Sequence, residues 1–293
     1  MNIAIYCAFF SEETLTYVNR ALNYLLKHQH QIILVDRLKK HLGAEAENYL
    51  YFDGNETLNQ QVDFLFSIGG DGTLLRAITV VRDTGIPIFG INTGRLGFLT
   101  SLHRDALSEG LDMFFRNEFN YVDRSLLHVT SKDSVSALED FGFALNEVSV
   151  NRKNTTSMLS IEAQLDNRPL TTYWSDGLII STPTGSTGYS MSSGGPIVSP
   201  DSQCWILNPI SPHNINMRPL IVPDTTTIKI SVSGRDKYHL LSLDSRVITL
   251  ENGNDLYIKK APFHIRTVQL NGAFFFNTLR EKLFWGKDAR NTQ

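Results

Sequence analysis

The chain has 293 residues, 42% hydrophobic and 19% charged, with 27 Lys and Arg against 30 Asp and Glu for a formal net charge of −3. That length exceeds one ordinary core, so two domains are the default and one large domain the alternative, and the composition fits a soluble globular protein. The lack of basic blocks argues against a nucleic-acid or anionic-membrane surface, two cysteines are too few for a disulfide framework or a cysteine metal cluster, and no apolar run reaches the ~20 residues of a membrane span.

The N-terminus, M-N-I-A-I-Y-C-A-F-F, is apolar but lacks a positively charged start, so Asn2 to Cys7 is predicted as a buried strand rather than a signal peptide, and the cytoplasm as the compartment. Ser11 to His28 is predicted as a helix capped by Ser11, with Glu12 and Glu13 in its first turn and Leu15, Val18, Leu22 and Leu25/Leu26 on one face. Ile32 to Val35 follows as a second strand, then a polar, irregular stretch from Asp36 to Gln61, read as a short helix and a mobile loop. Val62 to Ile68 is a third strand. It runs into Gly69-Gly70-Asp71-Gly72, and a helix is predicted from Thr73 to Arg82. Ile86 to Ile91 is a further strand, ending in Asn92-Thr93-Gly94-Arg95-Leu96-Gly97-Phe98-Leu99. Strands alternating with helices imply a parallel sheet buried on both faces, whose ligands bind at the carboxyl ends of strands. Both glycine-containing turns would lie on that edge.

Glycines at 69, 70 and 72 leave no Cβ between backbone and ligand, so the N–H groups at the helix start can face a phosphate. A carboxylate among phosphates is repelled unless it binds a metal or takes a proton, which makes Asp71 a candidate base. The plainer alternative is that Asp71 caps the helix. Arg76 and Arg95 are candidate phosphate or ribose contacts, or solvated surface residues. The pattern G-x-x-x-x-G-K-[ST] is absent, and Leu75 stands where G-x-G-x-x-G needs its third glycine, so a plain dinucleotide-binding dehydrogenase half is disfavoured.

From about Asn120 the pattern changes to alternation. Strands are predicted at Leu126 to Ser131, Phe143 to Val150, Met158 to Asp166, Ile228 to Ser233, Val247 to Leu250, Leu256 to Lys259 and Ile265 to Leu270, with hairpin chemistry at Asp166-Asn167-Arg168-Pro169 and Asn252-Gly253-Asn254-Asp255. This half reads as an antiparallel β domain. Asn146-Glu147 inside an apolar strand is either a satisfied buried pair or the amide and carboxylate that a ribose diol or adenine edge requires. Asp176 to Ser199 is rich in Ser, Thr and Gly around Tyr189, which reads as a flexible linker or as a binding loop whose tyrosine stacks on a base. Phe274 to Trp285 carries Phe276, Leu279, Leu283 and Phe284 as the apolar stripe of a docking helix.

Taken together, Gly69-Gly70-Asp71-Gly72-Thr73, Asn92 to Leu99, Asn146-Glu147, Asp176 to Tyr189, Pro209 to His213 with Arg218-Pro219-Leu220, and Leu279 to Leu283 closely resemble the NAD kinase family over nearly the whole chain. The resemblance implies a Rossmann-like α/β domain at 1–119 that binds the phosphate donor, a β-sandwich NAD-binding domain at 120–272, and a segment at 273–293 packing back on the first domain. It implies ATP or another polyphosphate as donor, NAD as substrate, Mg²⁺ carried with the donor rather than held by side chains, and a homo-oligomer, tetramer or dimer. Asp71 would accept the proton of the adenosine-ribose 2′-hydroxyl. Asp71, Gly72, Arg76, Asn146, Glu147, Asp176 and the run Thr187, Gly188, Tyr189, Ser190, Met191 and Ser192 would hold NAD. Gly69, Gly70, Gly72 and Thr73 would hold the donor phosphates. Three positions depart from the family's pattern: Trp174 replaces a frequent basic residue, Leu243-Asp244-Ser245-Arg246 stands where Asp-Gly-Gln is frequent, and Gly188 replaces a common alanine. A lipid or sugar kinase sharing the glycine-Asp turn, and a non-catalytic NAD(P) sensor, are the rival readings.

Overall fold

The computed structural model describes residues 1–58, 61–95, 97–154 and 157–285; Leu96 of the second glycine-containing turn and residues 286–293 of the C-terminal segment lie outside them. The chain divides into two compact units, Met1–Asp123 with Ile265–Gln293, and Arg124–His264.

The first unit is built on a parallel sheet in the order Leu50–Phe52, Gln31–Val35, Asn2–Tyr6, Phe64–Gly69, Ile88–Asn92. Phe64–Gly69 and Ile88–Asn92 are buried at every residue, as strands covered on both faces must be. Helix Glu12–Lys27 buries Thr14, Val18, Ala21, Leu22 and Leu25, and Ser11 caps it by accepting the Thr14 N–H at 3.2 Å. Leu26, expected on that face, is exposed. The stretch predicted as irregular contains two 3-10 turns, Asp36–His41 and Gly43–Asn48, and the edge strand Leu50–Phe52. A helix not predicted, Leu107–Phe115, packs Phe114 against Phe66, Phe89 and Phe64 with ring centroids 4.9 to 5.2 Å apart. The last helix, Phe275–Leu283, belongs to this unit, with Leu279 buried, Phe275 6.3 Å from Phe98, and Lys282 4.4 Å over the Phe98 ring. Its predicted stripe is only partly used, since Phe276 and Phe284 face solvent.

The strand order reverses between Asn2–Tyr6 and Phe64–Gly69, because the chain leaves the first strand to one side and returns on the other. Such a reversal opens a crevice at the carboxyl ends of the two strands. Gly69-Gly70-Asp71 is the turn placed there.

The second unit packs two antiparallel layers. One joins Arg168–Ser175, Leu159–Leu165, Ile228–Gly234 and the first part of Leu256–Leu270; the other runs Leu220–Pro223, Cys204–Ile210, Gly177–Ser181, Glu147–Arg152, Tyr238–Leu243, Arg246–Glu251. Alternate residues of both layers, among them Ile161, Ile230, Leu256, Val148, Leu178, Trp205 and Leu241, form one buried core. Asp166 and Asn167 take positive φ values of 49° and 62° in the two-residue turn between Leu165 and Arg168, as predicted. Asn252 to Asp255 is not a hairpin. It joins strands of different layers, with Gly253 donating to the Val232 carbonyl at 3.0 Å and the Asn252 side chain meeting His239 Nδ1 at 2.8 Å. The strands expected at Leu256 to Lys259 and Ile265 to Leu270 are one strand, Leu256–Leu270.

The strand expected from Phe143 to Val150 is broken. Phe143–Ala144 pairs with Phe119–Ser131, whereas Glu147–Arg152 pairs with Gly177–Ser181, and the chain changes partner at Leu145-Asn146.

Candidate functional site

In the first unit the site starts from the glycine turn. Helix Asp71–Val81 has Gly70 as its N-cap with no side-chain cap, and the Thr73 and Leu74 N–H groups donate to the Gly70 carbonyl at 2.9 and 3.3 Å. A Cβ at Gly70 or Gly72 would meet nothing within 4 Å, whereas one at Gly69 would overlap the Thr73 side chain. The turn is therefore tight where it leaves the strand and open where the helix begins, the shape that receives a phosphate.

Asp71 does not cap its own helix. Its Oδ2 accepts the Phe98 N–H at 2.7 Å, and its Oδ1 accepts the Leu99 and Thr100 N–H groups at 3.1 and 3.3 Å and the Thr100 hydroxyl at 3.4 Å. Gly97 is required beside it, because a Cβ there would overlap the carboxylate. The second turn is held in its own right: Asn92 Oδ1 accepts the Gly94 N–H at 2.7 Å, Asn92 Nδ2 donates to the Arg95 carbonyl at 2.8 Å, and Thr93 N donates to the Gly69 carbonyl at 3.1 Å. The two turns thus lie side by side at adjacent strand ends. Arg76 is exposed with its guanidinium 4.9 Å over the Phe9 ring, and Arg95 is exposed.

In the second unit Asn146 and Glu147 sit at the strand break. Thr182 N donates to the Asn146 carbonyl at 2.9 Å, and Gly185 lies against that carbonyl so closely that a Cβ would overlap it. A Cβ at Gly188 would stand 3.1 Å from Glu147 Oε2 and 3.5 Å from Asn146 Nδ2. Asn146 Oδ1 and Glu147 Oε2 are buried without a hydrogen-bond partner. Burial, with the nearby Asp244 charge, pushes the Glu147 carboxyl up to about 8, against a smaller opposing pull from the Tyr189 backbone N–H. Glu147 is consequently protonated at neutral pH, offering one donor and one acceptor.

The Ser/Thr/Gly loop is ordered, not a linker. It forms a 3-10 turn, Thr184–Thr187, and a short helical turn, Tyr189–Ser192, with Thr182, Thr184, Ser186 and Ser190 buried. Ser186 Oγ bridges the Val198 carbonyl and N–H, and Asn208 Nδ2 donates to the Ser190 carbonyl at 2.9 Å. Tyr189 is 42% exposed, Thr187, Gly188 and Met191 are half-buried, and Ser192 is exposed. Asp176 pairs with Arg152 at 3.0 Å. Trp174 is exposed, and Arg246 turns inward to the Phe141 and Phe143 carbonyls. Sequence reasoning missed Asp244, which holds the strand break, and Thr182; the only local sign of the first is the two-residue turn it opens.

No group of three or more His, Cys, Asp or Glu side chains among the described residues is placed to hold a metal ion, and no helix among them is long and apolar enough to cross a membrane.

Comparison with known proteins matches residues 3–119 to the ATP-NAD kinase N-terminal domain and residues 145–270 to the ATP-NAD kinase C-terminal domain. Proteins named NAD kinase from Flavobacterium psychrophilum and Christiangramia forsetii are 43% and 45% identical over 99% of this chain and 100% of theirs. A crystal structure of yeast NADH kinase complexed with NADH superposes with a TM-score of 0.86 at 22% identity, covering 100% of this chain and 90% of that one. An NAD kinase from Archaeoglobus fulgidus in complex with ATP gives 0.75 at 25% identity, covering 96% and 99%.

Proposed function

The chain belongs to the NAD kinase family, and from that premise we propose how its residues carry the reaction. It is an enzyme that phosphorylates NAD to NADP with ATP as donor, and the acceptor is the 2′-hydroxyl of the adenosine ribose. The donor phosphates bind at the open start of the helix, on the Gly70 and Gly72 N–H groups, with Gly69 keeping the turn tight; the Thr73 N–H already donates to the Gly70 carbonyl at 2.9 Å. The donor arrives as MgATP, with the metal carried by the nucleotide.

Asp71 is the proton acceptor. The observation that carries this reading is the placement of its carboxylate: three backbone N–H groups fix its direction, yet Oδ2 receives only the Phe98 N–H and keeps a lone pair. As the ribose oxygen bonds to the γ-phosphorus, the bond from that phosphorus to the bridging oxygen breaks, ADP leaves, and the hydroxyl proton passes to Asp71. Positioning and neutralisation of phosphate charge supply more of the rate than the base does.

Asn146 and Glu147 hold NAD, and their unpartnered buried oxygens, the Asn146 amide oxygen as acceptor and Glu147 Oε2 of the protonated carboxyl, are the groups it pairs with. Gly188 leaves room beside them, Tyr189 supplies an exposed ring, and Asp176, Arg76, Thr187 and the Ser190 to Ser192 segment complete the contacts. The enzyme works in the cytoplasm as a homo-oligomer. Incubating the purified chain with NAD and MgATP and locating the new phosphate by ³¹P NMR tests the reading; NADP phosphorylated at the 2′ position is expected. Phosphate on another acceptor, or NAD binding without turnover, would support the lipid- or sugar-kinase and sensor alternatives instead.

A further inference from the structure

The hairpin turn Leu243-Asp244-Ser245-Arg246 has no part in the reaction above, yet it grips the backbone on both sides of the Asn146-Glu147 break. Asp244 opens the two-residue turn with φ 52°. Its Oδ2 accepts the Leu145 N–H at 2.9 Å, and its Oδ1 accepts those of Asn146 and Glu147 at 2.7 and 3.2 Å. The Asp244 N–H donates in return to the Glu147 carbonyl at 2.9 Å. Two residues on, Arg246 donates to the Phe141 carbonyl at 2.7 Å and to that of Phe143, with its guanidinium carbon 5.2 Å over the Phe143 ring. One segment is thus held by a half-buried carboxylate at its amides and a half-buried guanidinium at its carbonyls, through charge-assisted bonds roughly twice as strong as neutral ones.

Successive N–H groups of a strand point to opposite sides, so three in a row reach one carboxylate only if the chain leaves the extended form. That departure is the break itself. It presents Asn146 Nδ2 and Glu147 Oε2 to the same glycine, Gly188, and leaves Asn146 Oδ1 and Glu147 Oε2 buried and unpartnered.

We infer that Asp244 is a positioning residue for NAD: by drawing the Leu145, Asn146 and Glu147 amides onto one carboxylate it fixes the direction in which the Asn146 and Glu147 side chains meet the dinucleotide, while Arg246 anchors the approach to the break. This rests on the reading that Asn146 and Glu147 hold NAD. Arg246, at the position where a glutamine is frequent in the family, serves the fold and not the substrate directly.

The test is steady-state kinetics of the full chain with Asp244→Asn, which keeps the shape but turns an NH₂ toward one of the N–H donors. The KM for NAD is expected to rise roughly tenfold or more, since an orphaned buried donor is costly, while kcat and the KM for MgATP stay within about twofold. Asp224→Asn is the control. Asp224 is another carboxylate of this unit, 4% exposed and paired with Lys260, so its loss lowers Tm without touching the KM for NAD. Asn146→Ala separates the two claims: if it leaves the KM for NAD unchanged, the reading of the pair fails. If it raises that KM while Asp244→Asn does not, or if Asp224→Asn raises it equally, the positioning role is overturned. Should Asp244→Asn fail to fold, Arg246→Lys, which keeps the charge but reaches only one of the two carbonyls, is expected to raise the KM for NAD by about threefold, and an unchanged KM overturns the inference.

Discussion

The glycine turn of the first unit and the strand break of the second solve the same problem in opposite ways. Each uses a carboxylate that receives three backbone N–H groups: Asp71 from Phe98, Leu99 and Thr100, and Asp244 from Leu145, Asn146 and Glu147. Asp71 is half-buried and keeps an acceptor lone pair, with open space at Gly70 and Gly72 on either side of it. Asp244 is enclosed, and burial pushes its carboxyl upward against the pull of those three donors and of Arg246. On the proposed reading, amide convergence orients a reacting group in one place and, in the other, orients the neighbours that bind substrate. What separates the two carboxylates is the open space beside Asp71, not the hydrogen-bond pattern.

Breaking the first arrangement has the largest expected effect. Asp71→Asn lowers kcat roughly 10²- to 10⁴-fold, read by NADP formation. The structure also sets a stability expectation. An amide cannot serve all three donors, so a loss of about 1–2 kcal/mol in denaturant unfolding is expected. Gly97→Ala attacks the same carboxylate from outside, because its methyl overlaps Asp71, and a displacement near 1 Å costs on the order of 10²-fold in kcat.

Glu147 sharpens the comparison through pH. Its folded carboxyl titrates at about 8 against an ordinary 4.5, so between those values the folded state binds the extra proton. Stability conferred relative to a charged glutamate is therefore present at low pH and lost as pH rises from 4.5 toward 8, the reverse of a salt-bridged acid. Glu147→Gln removes that slope, so the variant gains Tm over the parent at pH 8 and not at pH 4.5. A variant whose Tm falls in parallel with the parent across this range would contradict a buried, protonated Glu147. The smallest effect belongs to Gly188→Ala, whose methyl stands 3.1 Å from Glu147 Oε2 and needs a shift of only tenths of an ångström, so kcat/KM for NAD should change by less than about threefold.

The comparison also explains what could be read from the chain directly. Strand Phe64–Gly69, the glycine turn and helix Asp71–Val81 are local, set by neighbours within a few residues, and their order was legible; so was the Ser11 cap. The strand break was not. Its cause is a carboxylate 97 to 99 residues away, and the apolar alternation of Phe143 to Val150 gives no sign of it. The edge strand Leu50–Phe52 was hidden by polar flanks, and the exposed faces of Leu26, Phe276 and Phe284 show that helical periodicity marks apolar residues without saying which are covered. Asn146-Glu147 could be singled out as unusual, but only the structure shows two buried oxygens without partners.

The division of labour is tested most directly by single-turnover phosphoryl transfer with Asp71→Asn and Asn146→Ala side by side, each at NAD concentrations that saturate it. Asn146→Ala should recover a rate within about threefold of the parent once NAD is saturating, whereas Asp71→Asn should remain at least roughly 10²-fold slow at any NAD concentration. An Asp71→Asn enzyme that transfers phosphate at the parental rate would show that this carboxylate is not the proton acceptor.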